Sequence, residues 1–227
     1  MRNTVGPKPL PRVQNARPLV KICGLTNPDN AAQCARAGAD IIGLVFFPKS
    51  PRHVTQARAK TVVKALPAHV PAWGVFVNET LKTILETAAA CGLTGVQLHG
   101  REPPELINAL KAHHLTVTKA VFASRSPGLN TIPLYSQSDY ILVECGQGSL
   151  PGGNAKTWDY GLAAKTARQH PVFLAGGLSC ENIEQAVSAV APAGVDLSSG
   201  VESGPGVKDL FKVRDLIRRV KTFPKNR

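Results

Sequence analysis

The feature that most constrains this chain is a regular alternation of short apolar runs and longer amphipathic runs between residues 19 and 222. The short runs predict strands, and the amphipathic runs predict helices. Such alternation calls for parallel strands joined by crossover helices, so we expect an α/β fold with eight units. The predicted strands are residues 19–23, 41–46, 72–77, 95–98, 116–122, 140–144, 172–175 and 194–197.

Seven of these strands are followed by a helical pattern. The predicted helices are residues 29–37, 55–65, 79–90, 104–113, 160–168, 181–190 and 207–222. The fifth connection contains Pro127, Gly128 and Pro133, which interrupt a helical pattern. The sequence therefore predicts that the fifth helix is short or missing.

Two distant units resemble each other, since Gly24-Leu25-Thr26 and Gly177-Leu178-Ser179 each follow a strand and lead into a helix. Repeated units in about 210 residues favour a single-domain (β/α)8 barrel, known as a TIM barrel, over an open doubly wound sheet. The open sheet usually carries a G-x-G-x-x-G turn after its first strand, which this chain lacks. We predict a barrel over residues 18–227, preceded by a flexible basic extension over residues 1–17.

The net charge of +12 is concentrated at the two ends of the chain. Residues 1–21 carry +5 and residues 208–227 carry +6, which leaves +1 for the residues between them. With only 5% aromatic residues and no basic stripe across the body, the sequence argues against nucleic-acid binding. The chain also shows no apolar run of membrane-spanning length, and its five cysteines lack a C-x-x-C pair. We expect a cytoplasmic protein with free thiols, as a monomer or a homodimer.

The first strand ends on a reactive side chain. Lys21 and Cys23 are two residues apart and so share one face of the strand, opposite Val20 and Ile22. In a barrel, chemistry takes place at the C-terminal ends of the strands, where Cys23 is expected. We predict that the ammonium of Lys21 lowers the pKa of the Cys23 thiol. Thr26 with Asp29 three residues later predicts the start of the first helix.

Glycines follow strands seven and eight, the places where barrels commonly bind a phosphate group. Gly176 and Gly177 follow the seventh strand, and Ser199 and Gly200 follow the eighth. Each pair taken alone is equally typical of a tight turn. Because both pairs occur at the expected places, we predict that their backbone N–H groups bind the phosphate of a small substrate.

Four further side chains are candidates for the site. Arg52, in a proline-rich loop after strand two, is a candidate for binding a substrate carboxylate, or else is a solvated arginine. Gln97 and His99 share one face at the end of strand four, where His99 is either a substrate contact or a packed rim residue. Glu144 ends strand six, and a carboxylate at the end of a buried strand indicates either function or a structural ion pair.

These motifs resemble the phosphoribosylanthranilate isomerase family of tryptophan biosynthesis. The resemblance spans residues 19 to 222 and rests on KICGL at 21–25, FFPKSPR at 46–52, VQLHG at 96–100, LAGGL at 174–178 and DLSSGVE at 196–202. It implies a (β/α)8 barrel that carries out an Amadori rearrangement without a cofactor or metal. It also implies that Cys23 is the general base and that the general acid stands at the end of strand six.

The sequence departs from the family in one place. The acid is normally an aspartate, whereas this chain has Glu144, and the following loop has Gly-Gly-Asn-Ala-Lys at 152–156 in place of the usual Gly-Gly-Thr/Ser-Gly. We predict that Glu144 still donates the proton. Two alternatives remain: a phosphate-binding barrel without catalytic activity, and an isomerase of a related aminated sugar phosphate. The histidine-pathway isomerase would have an aspartate in place of Cys23.

Overall fold

The structure, a computed structural model, describes residues 17–147 and 157–223 of the chain. Eight parallel strands pair in chain order, and β8 pairs with β1 to close a barrel. The predicted (β/α)8 fold is therefore confirmed. The strands are β1 Leu19–Cys23, β2 Ile41–Val45, β3 Ala72–Phe76, β4 Gly95–Leu98, β5 Thr116–Phe122, β6 Tyr140–Glu144, β7 Val172–Leu174 and β8 Gly194–Leu197.

The helices pack around the outside of the barrel. They are α1 Pro28–Arg36, α2 Gln56–Ala65, α3 Leu81–Cys91, α4 Glu105–Lys111, α5 Ala164–Gln169, α6 Ile183–Val190 and α7 Leu210–Thr222. The fifth connection forms only a 3-10 turn, Leu129–Tyr135, which contains Pro133. The prediction of a short or missing fifth helix is confirmed, because proline cannot supply the backbone donor that an α-helix needs.

Two helix starts differ in detail from the prediction: the first helix begins within one residue of its predicted start but has a different cap, and the last begins three residues later than predicted. The cap of α1 is Asn27, whose side chain accepts hydrogen bonds from the N–H groups of Asp29 and Asn30, while the Thr26 hydroxyl instead donates to the carbonyl of Gly206. The last helix begins at Leu210, after the cap Asp209, because the preceding residues form an antiparallel hairpin of β9 Glu202–Gly204 and β10 Val207–Lys208.

The alternation of side chains along β1 is as predicted. Val20 and Ile22 belong to the large apolar cluster that includes residues of the surrounding helices, while Lys21 and Cys23 lie outside that cluster although both are buried. A second apolar cluster lies inside the barrel and is built around Trp73, Tyr140 and Phe173. These three aromatic residues occupy the first or second position of their strands, so the opposite end of the barrel is left for polar side chains.

The predicted extension over residues 1–17 lies outside the described residues except for Arg17. Among the residues that the structure describes, no helix has the length and apolarity needed to cross a membrane. All five cysteines are free thiols, as predicted.

Candidate active site

The C-terminal ends of the strands bring the candidate catalytic residues to one end of the barrel. Cys23 is the last residue of β1 and Glu144 the last residue of β6, and both are buried. Gly43 on the neighbouring strand leaves room for the thiol, since a Cβ atom there would lie 2.6 Å from Sγ of Cys23. The thiol and the carboxyl group predicted from the sequence thus lie at the same end of the barrel.

Lys21 is fully buried and forms an ion pair that the sequence analysis missed. Its Nζ lies 2.9 Å from Oδ1 of Asp196, its register partner on β8. Burial by itself lowers the pKa of Lys21, but the negative charge of Asp196 and the adjacent Cys23 outweigh that effect and raise it. Lys21 is therefore held as a cation beside the thiol.

The predicted activation of Cys23 is only partly reproduced. Burial raises the pKa of the Cys23 thiol, and nearby Asp196 raises it further, while Lys21 and Lys208 act in the opposite direction. The predicted direction of the Lys21 effect holds, but desolvation of the thiolate outweighs it. The net result is a pKa above the usual value of a cysteine.

Glu144 belongs to a buried chain of hydrogen-bonding groups. Oε2 of Glu144 lies 3.0 Å from Nε2 of His99, and Nδ1 of His99 lies 2.7 Å from Nε2 of Gln97. With the Gln97 amide in this orientation, Nδ1 of the imidazole accepts and Nε2 donates to the carboxylate. Both predicted site residues at the end of β4 therefore act on Glu144, His99 directly and Gln97 through His99.

Asp196 connects the two sides of this site. Burial raises the pKa of Asp196 although its ion pair with Lys21 opposes this, and the more distant His99 and Glu144 also act on it. These groups are close enough to influence one another electrostatically within one buried cluster.

Arg52 contacts a protein carboxylate. Its Nε and Nη2 lie 2.8 and 2.7 Å from the two carboxylate oxygens of Glu202, a bidentate pair with both side chains largely buried. A guanidinium has two edges that can bind a carboxylate, and Glu202 occupies the one formed by Nε and Nη2. Nζ of Lys208, also buried, lies 2.7 Å from Oε1 of Glu202, the same oxygen that accepts from Nε of Arg52.

Another buried ion pair supports the loop that follows His99. Nζ of Lys119 lies 2.8 Å from Oε2 of Glu102 and 2.7 Å from the carbonyl oxygen of Gly100. Glu102 in turn accepts from the N–H of Gly100. The backbone beside His99 is therefore fixed by a charged pair that is almost completely excluded from solvent.

The glycine loops after β7 and β8 lie against each other. A Cβ atom on Gly200 would overlap the carbonyl oxygen of Leu178, so only glycine allows this approach. Within the described residues, the N–H groups of Gly176, Gly177, Ser199 and Gly200 donate to no protein acceptor. Backbone donors of this kind, held close together, are typical of anion sites.

Three side chains of the candidate site were not predicted from the sequence. Asp196, Glu202 and Lys208 all contact a predicted site residue or its partner. The first two lie in the DLSSGVE motif, from which only the backbone donors and the family resemblance were predicted. The turn sequence Gly-Pro-Gly at 204–206 was the available signal for the hairpin that carries Lys208.

Two sequence observations fall outside the described residues. The structure describes the glycine-rich loop after Glu144 only up to Gln147, so the Gly-Gly-Asn-Ala-Lys stretch at 152–156 lies outside the described residues. Among the residues that are described, no group of three or more His, Cys, Asp or Glu side chains is arranged to bind a metal ion.

The fold and the site together define a (β/α)8-barrel protein whose ionisable side chains gather at the C-terminal ends of the strands, as in barrel enzymes. Residues 20–219 match the family model described as N-(5'-phosphoribosyl)anthranilate (PRA) isomerase. The chain belongs to this family. The predicted enzyme class, an isomerase of tryptophan biosynthesis, is confirmed.

Individual relatives agree with the family model. The chain is 48% identical to the N-(5'-phosphoribosyl)anthranilate isomerase of Desulfatibacillum aliphaticivorans over 88% of this chain and 91% of that protein. It is 43% identical to the enzyme of the same name from Geobacter metallireducens, over 89% of this chain and 98% of that protein.

Solved structures show the same similarity. Phosphoribosyl anthranilate isomerase from Thermotoga maritima superposes with a TM-score of 0.83 at 38% identity, covering 90% of this chain and 98% of that one. A structure of phosphoribosyl anthranilate isomerase in complex with reduced 1-(o-carboxyphenylamino)-1-deoxyribulose 5-phosphate superposes with a TM-score of 0.80 at 36% identity. The match covers 90% of this chain and 98% of that one.

Proposed function

We propose that this protein converts N-(5-phosphoribosyl)anthranilate into 1-(2-carboxyphenylamino)-1-deoxyribulose 5-phosphate, with Cys23 as general base and Glu144 as general acid. The observation that carries the proposal is the buried cluster in which Lys21 and Asp196 adjoin Cys23 while His99 adjoins Glu144. Family membership supports the reaction, since the named relatives carry this activity in their names.

The first step is the opening of the ribose ring. Glu144 donates a proton to the ring oxygen, the bond from that oxygen to C1′ breaks, and the anthranilate nitrogen supplies the electron pair that forms an iminium ion. Cys23 then removes the proton from C2′, and the electrons of that bond neutralise the iminium to give an enolamine. Tautomerisation of the enolamine then removes the proton of the C2′ hydroxyl and adds one at C1′, which yields the ketone. Substrate and product are isomers, and Glu144 and Cys23 carry the two proton transfers that lead to the enolamine.

Glu144 must hold a proton before ring opening, and the neighbouring side chains can accommodate it. With that proton on the Glu144–His99 pair, either Glu144 is neutral and donates to His99 Nε2, or His99 is a cation. In both forms His99 Nδ1 carries a hydrogen and needs an acceptor. Oε1 of Gln97, which has no hydrogen-bond partner within the described residues, becomes that acceptor after a flip of the amide.

The substrate has two anionic groups that this site matches. Arg52 binds Glu202 through Nε and Nη2, which leaves the edge formed by Nη1 and the second Nη2 hydrogen for the anthranilate carboxylate. The N–H groups of Gly176, Gly177, Ser199 and Gly200 bind the phosphate. We further propose that the enzyme works in the reducing cytoplasm, which its five free thiols support.

The test is turnover of freshly prepared N-(5-phosphoribosyl)anthranilate, followed by the loss of its anthranilate-type fluorescence. We expect turnover by the wild-type protein, which separates an enzyme from a binding barrel, and none with a related aminated sugar phosphate of the histidine pathway. Glu144→Gln should lower kcat by on the order of 10²–10⁴-fold because it removes the proton donor.

Glu144→Asp is the matched control, because it keeps a carboxyl group and carries the residue usual in the family. It should retain far more activity than Glu144→Gln, while the two variants have similar thermal stability. Near-normal turnover by Glu144→Gln would refute the assignment of the acid.

A further inference from the structure

Three consecutive carbonyl groups after β7 are each held by a side chain. Trp158 Nε1 donates to the carbonyl of residue 175 at 3.0 Å, and the Tyr160 hydroxyl donates to that of residue 176 at 2.9 Å. Asn182 Nδ2 donates to that of residue 177 at 2.8 Å. We call Trp158, Tyr160 and Asn182 the carbonyl clamp.

The clamp fixes the direction of the N–H groups on the same peptide units. The peptide bonds between residues 175 and 178 are trans, so each N–H is directed away from the carbonyl oxygen of its own unit. The donors of Gly176, Gly177 and Leu178 are therefore directed away from the clamp. Within the described residues none of these three N–H groups donates to a protein acceptor.

The backbone at this point needs such support. Gly176 and Gly177 have φ angles of +87° and +66°, in the left-handed region that glycine adopts with little penalty but in which it is also least restrained. Three hydrogen bonds to successive carbonyls restrict this freedom. The clamp thus selects one orientation of a flexible stretch before any ligand binds.

The clamp is itself braced. Asn182, the residue before α6, accepts from the N–H of Ser179 through Oδ1, so both ends of its amide are engaged. The rings of Trp158 and Tyr160 meet edge to face at 5.3 Å. Burial, with a smaller contribution from Cys145, raises the pKa of Tyr160 to about 12, which keeps its hydroxyl protonated as a donor.

The loop held by the clamp also contacts the loop after β8. Gly200 lies directly against the carbonyl oxygen of Leu178, so the free N–H groups of the two loops are brought to the same place. We propose that Trp158, Tyr160 and Asn182 are positioning residues that orient the backbone donors after β7 for the substrate phosphate. This inference rests on the proposed function, since it assigns the phosphate to that loop.

The experiment measures binding of inorganic phosphate to the purified protein by calorimetry, together with KM and kcat for N-(5-phosphoribosyl)anthranilate. Tyr160→Phe removes one clamp hydrogen bond and keeps the ring. We expect it to weaken phosphate binding and raise KM by about threefold to tenfold, the range given by the net contribution of one hydrogen bond, with kcat within about twofold. Adding Asn182→Ala should weaken both further.

Tyr135→Phe is the matched control, because it removes a hydroxyl that donates to a backbone carbonyl, that of Glu102, in a different loop. It should leave phosphate binding unchanged. The proposal is overturned if Tyr160→Phe binds phosphate as tightly as the wild type, if Tyr135→Phe weakens phosphate binding equally, or if kcat falls while KM stays constant.

Failure of the proposed function gives a different result. If the wild-type protein binds phosphate, the Tyr160→Phe variant does not, and the wild type does not turn over the substrate, the proposed reaction is refuted while the proposed role of the clamp is kept. If the wild type turns over the substrate and the wild type and Tyr160→Phe bind phosphate equally well, the proposed reaction is kept and the proposed role of the clamp is refuted.

Discussion

The two ends of the barrel interior have opposite chemistry. Near the start of the strands, Trp73, Tyr140 and Phe173 pack ring against ring, and the apolar contacts there stabilise the fold. Near the end of the strands, Lys21 and Asp196 form an ion pair that is almost as deeply buried. Burying charges costs several kcal/mol per ion before pairing, so this end does not contribute to stability in the same way.

The contrast supports the proposal that the charged end serves catalysis. An apolar layer at both ends would fill the barrel at lower cost, since well-packed apolar side chains that replace a buried ion pair are often neutral or stabilising by about 1–4 kcal/mol. Changes at the two ends should therefore affect stability and turnover differently.

The largest effect on stability is expected from breaking the buried ion pair. Asp196→Asn leaves the ammonium of Lys21 buried without a counter-charge and should lower the free energy of unfolding by about 3–5 kcal/mol. Urea unfolding measures this change. The double variant Lys21→Met with Asp196→Leu should recover most of the stability but not the turnover. A loss below about 1 kcal/mol for the single variant would contradict the account.

A smaller effect is expected at the apolar end. Trp73→Phe leaves a cavity in the aromatic layer and should cost about 1–3 kcal/mol in the free energy of unfolding. Because this layer does not include the catalytic candidates, kcat should stay within about threefold of the wild type. A large loss of kcat at unchanged stability would show that the two ends are not functionally separate.

The pH dependence of turnover tests the electrostatic coupling between Lys21 and the Cys23 thiol. Burial raises the pKa of the thiol and Lys21 lowers it, so kcat/KM should increase as the pH rises from neutral towards the pKa of Cys23. Removing the positive charge in Lys21→Met should raise that pKa and move the increase to higher pH. The ultraviolet absorbance of the thiolate follows the titration, and the exposed residue Lys82, changed to Met, is the control. An unchanged Cys23 titration in Lys21→Met would refute the coupling.

The same raised pKa has a consequence for stability. The fold favours the neutral thiol. Below the ordinary cysteine pKa of about 8.5, Cys23 is therefore neutral in both the folded and the unfolded protein and causes no change in the free energy of unfolding with pH. Above that value the unfolded thiol ionises more readily, so the free energy of unfolding falls as the pH rises. Cys23→Ala should therefore lose less stability than the wild type between neutral and alkaline pH, as measured by the urea midpoint. An identical decline in both proteins would argue against a raised thiol pKa.

The smallest effect is expected for a partly exposed ion pair on α7. Hydrogen bonds from Arg219 and Arg218 lower the pKa of Asp215 to about 2. Its contribution to stability is therefore present above the ordinary aspartate pKa of about 4 and is lost as the pH falls towards 2. Asp215→Asn should shift the melting temperature slightly at neutral pH, and this difference should vanish in acid. A shift as large as that of Asp196→Asn would contradict the expected difference in stability between the buried and the partly exposed ion pair.

The sequence predicts the barrel well because its strands and helices follow local apolar periodicity. Most strand ends agree to within one residue, for example at Phe46 and Ala175, which lie just beyond β2 and β7. The end of the chain was less accurate because the apolar spacing of α7 extends back to Val207, and this pattern hid the short hairpin formed by β9 and β10. Local periodicity does not distinguish a hairpin of two or three residues per strand from a first helical turn.

The ion pairs of the site could not be predicted in the same way. Lys21 and Asp196 are separated by 175 positions, and Arg52 and Glu202 by 150. They meet only because the barrel closes between β8 and β1, which brings the hairpin after β8 beside the loop after β2. The position of a residue at the end of a strand indicates that it faces the site. Its ion-pair partner cannot be predicted in this way, because the two residues meet only when the sheet closes.

The most direct test of the account compares kcat for Cys23→Ala, Glu144→Gln and the double variant on freshly prepared N-(5-phosphoribosyl)anthranilate. Each turnover needs both proton transfers, so each single variant should be slower by on the order of 10²–10⁴-fold, and the double variant should be hardly slower than the slower single one. A Cys23→Ala variant that retains more than about a tenth of the wild-type kcat would contradict the pairing of thiol and carboxyl group on which the proposed reaction depends.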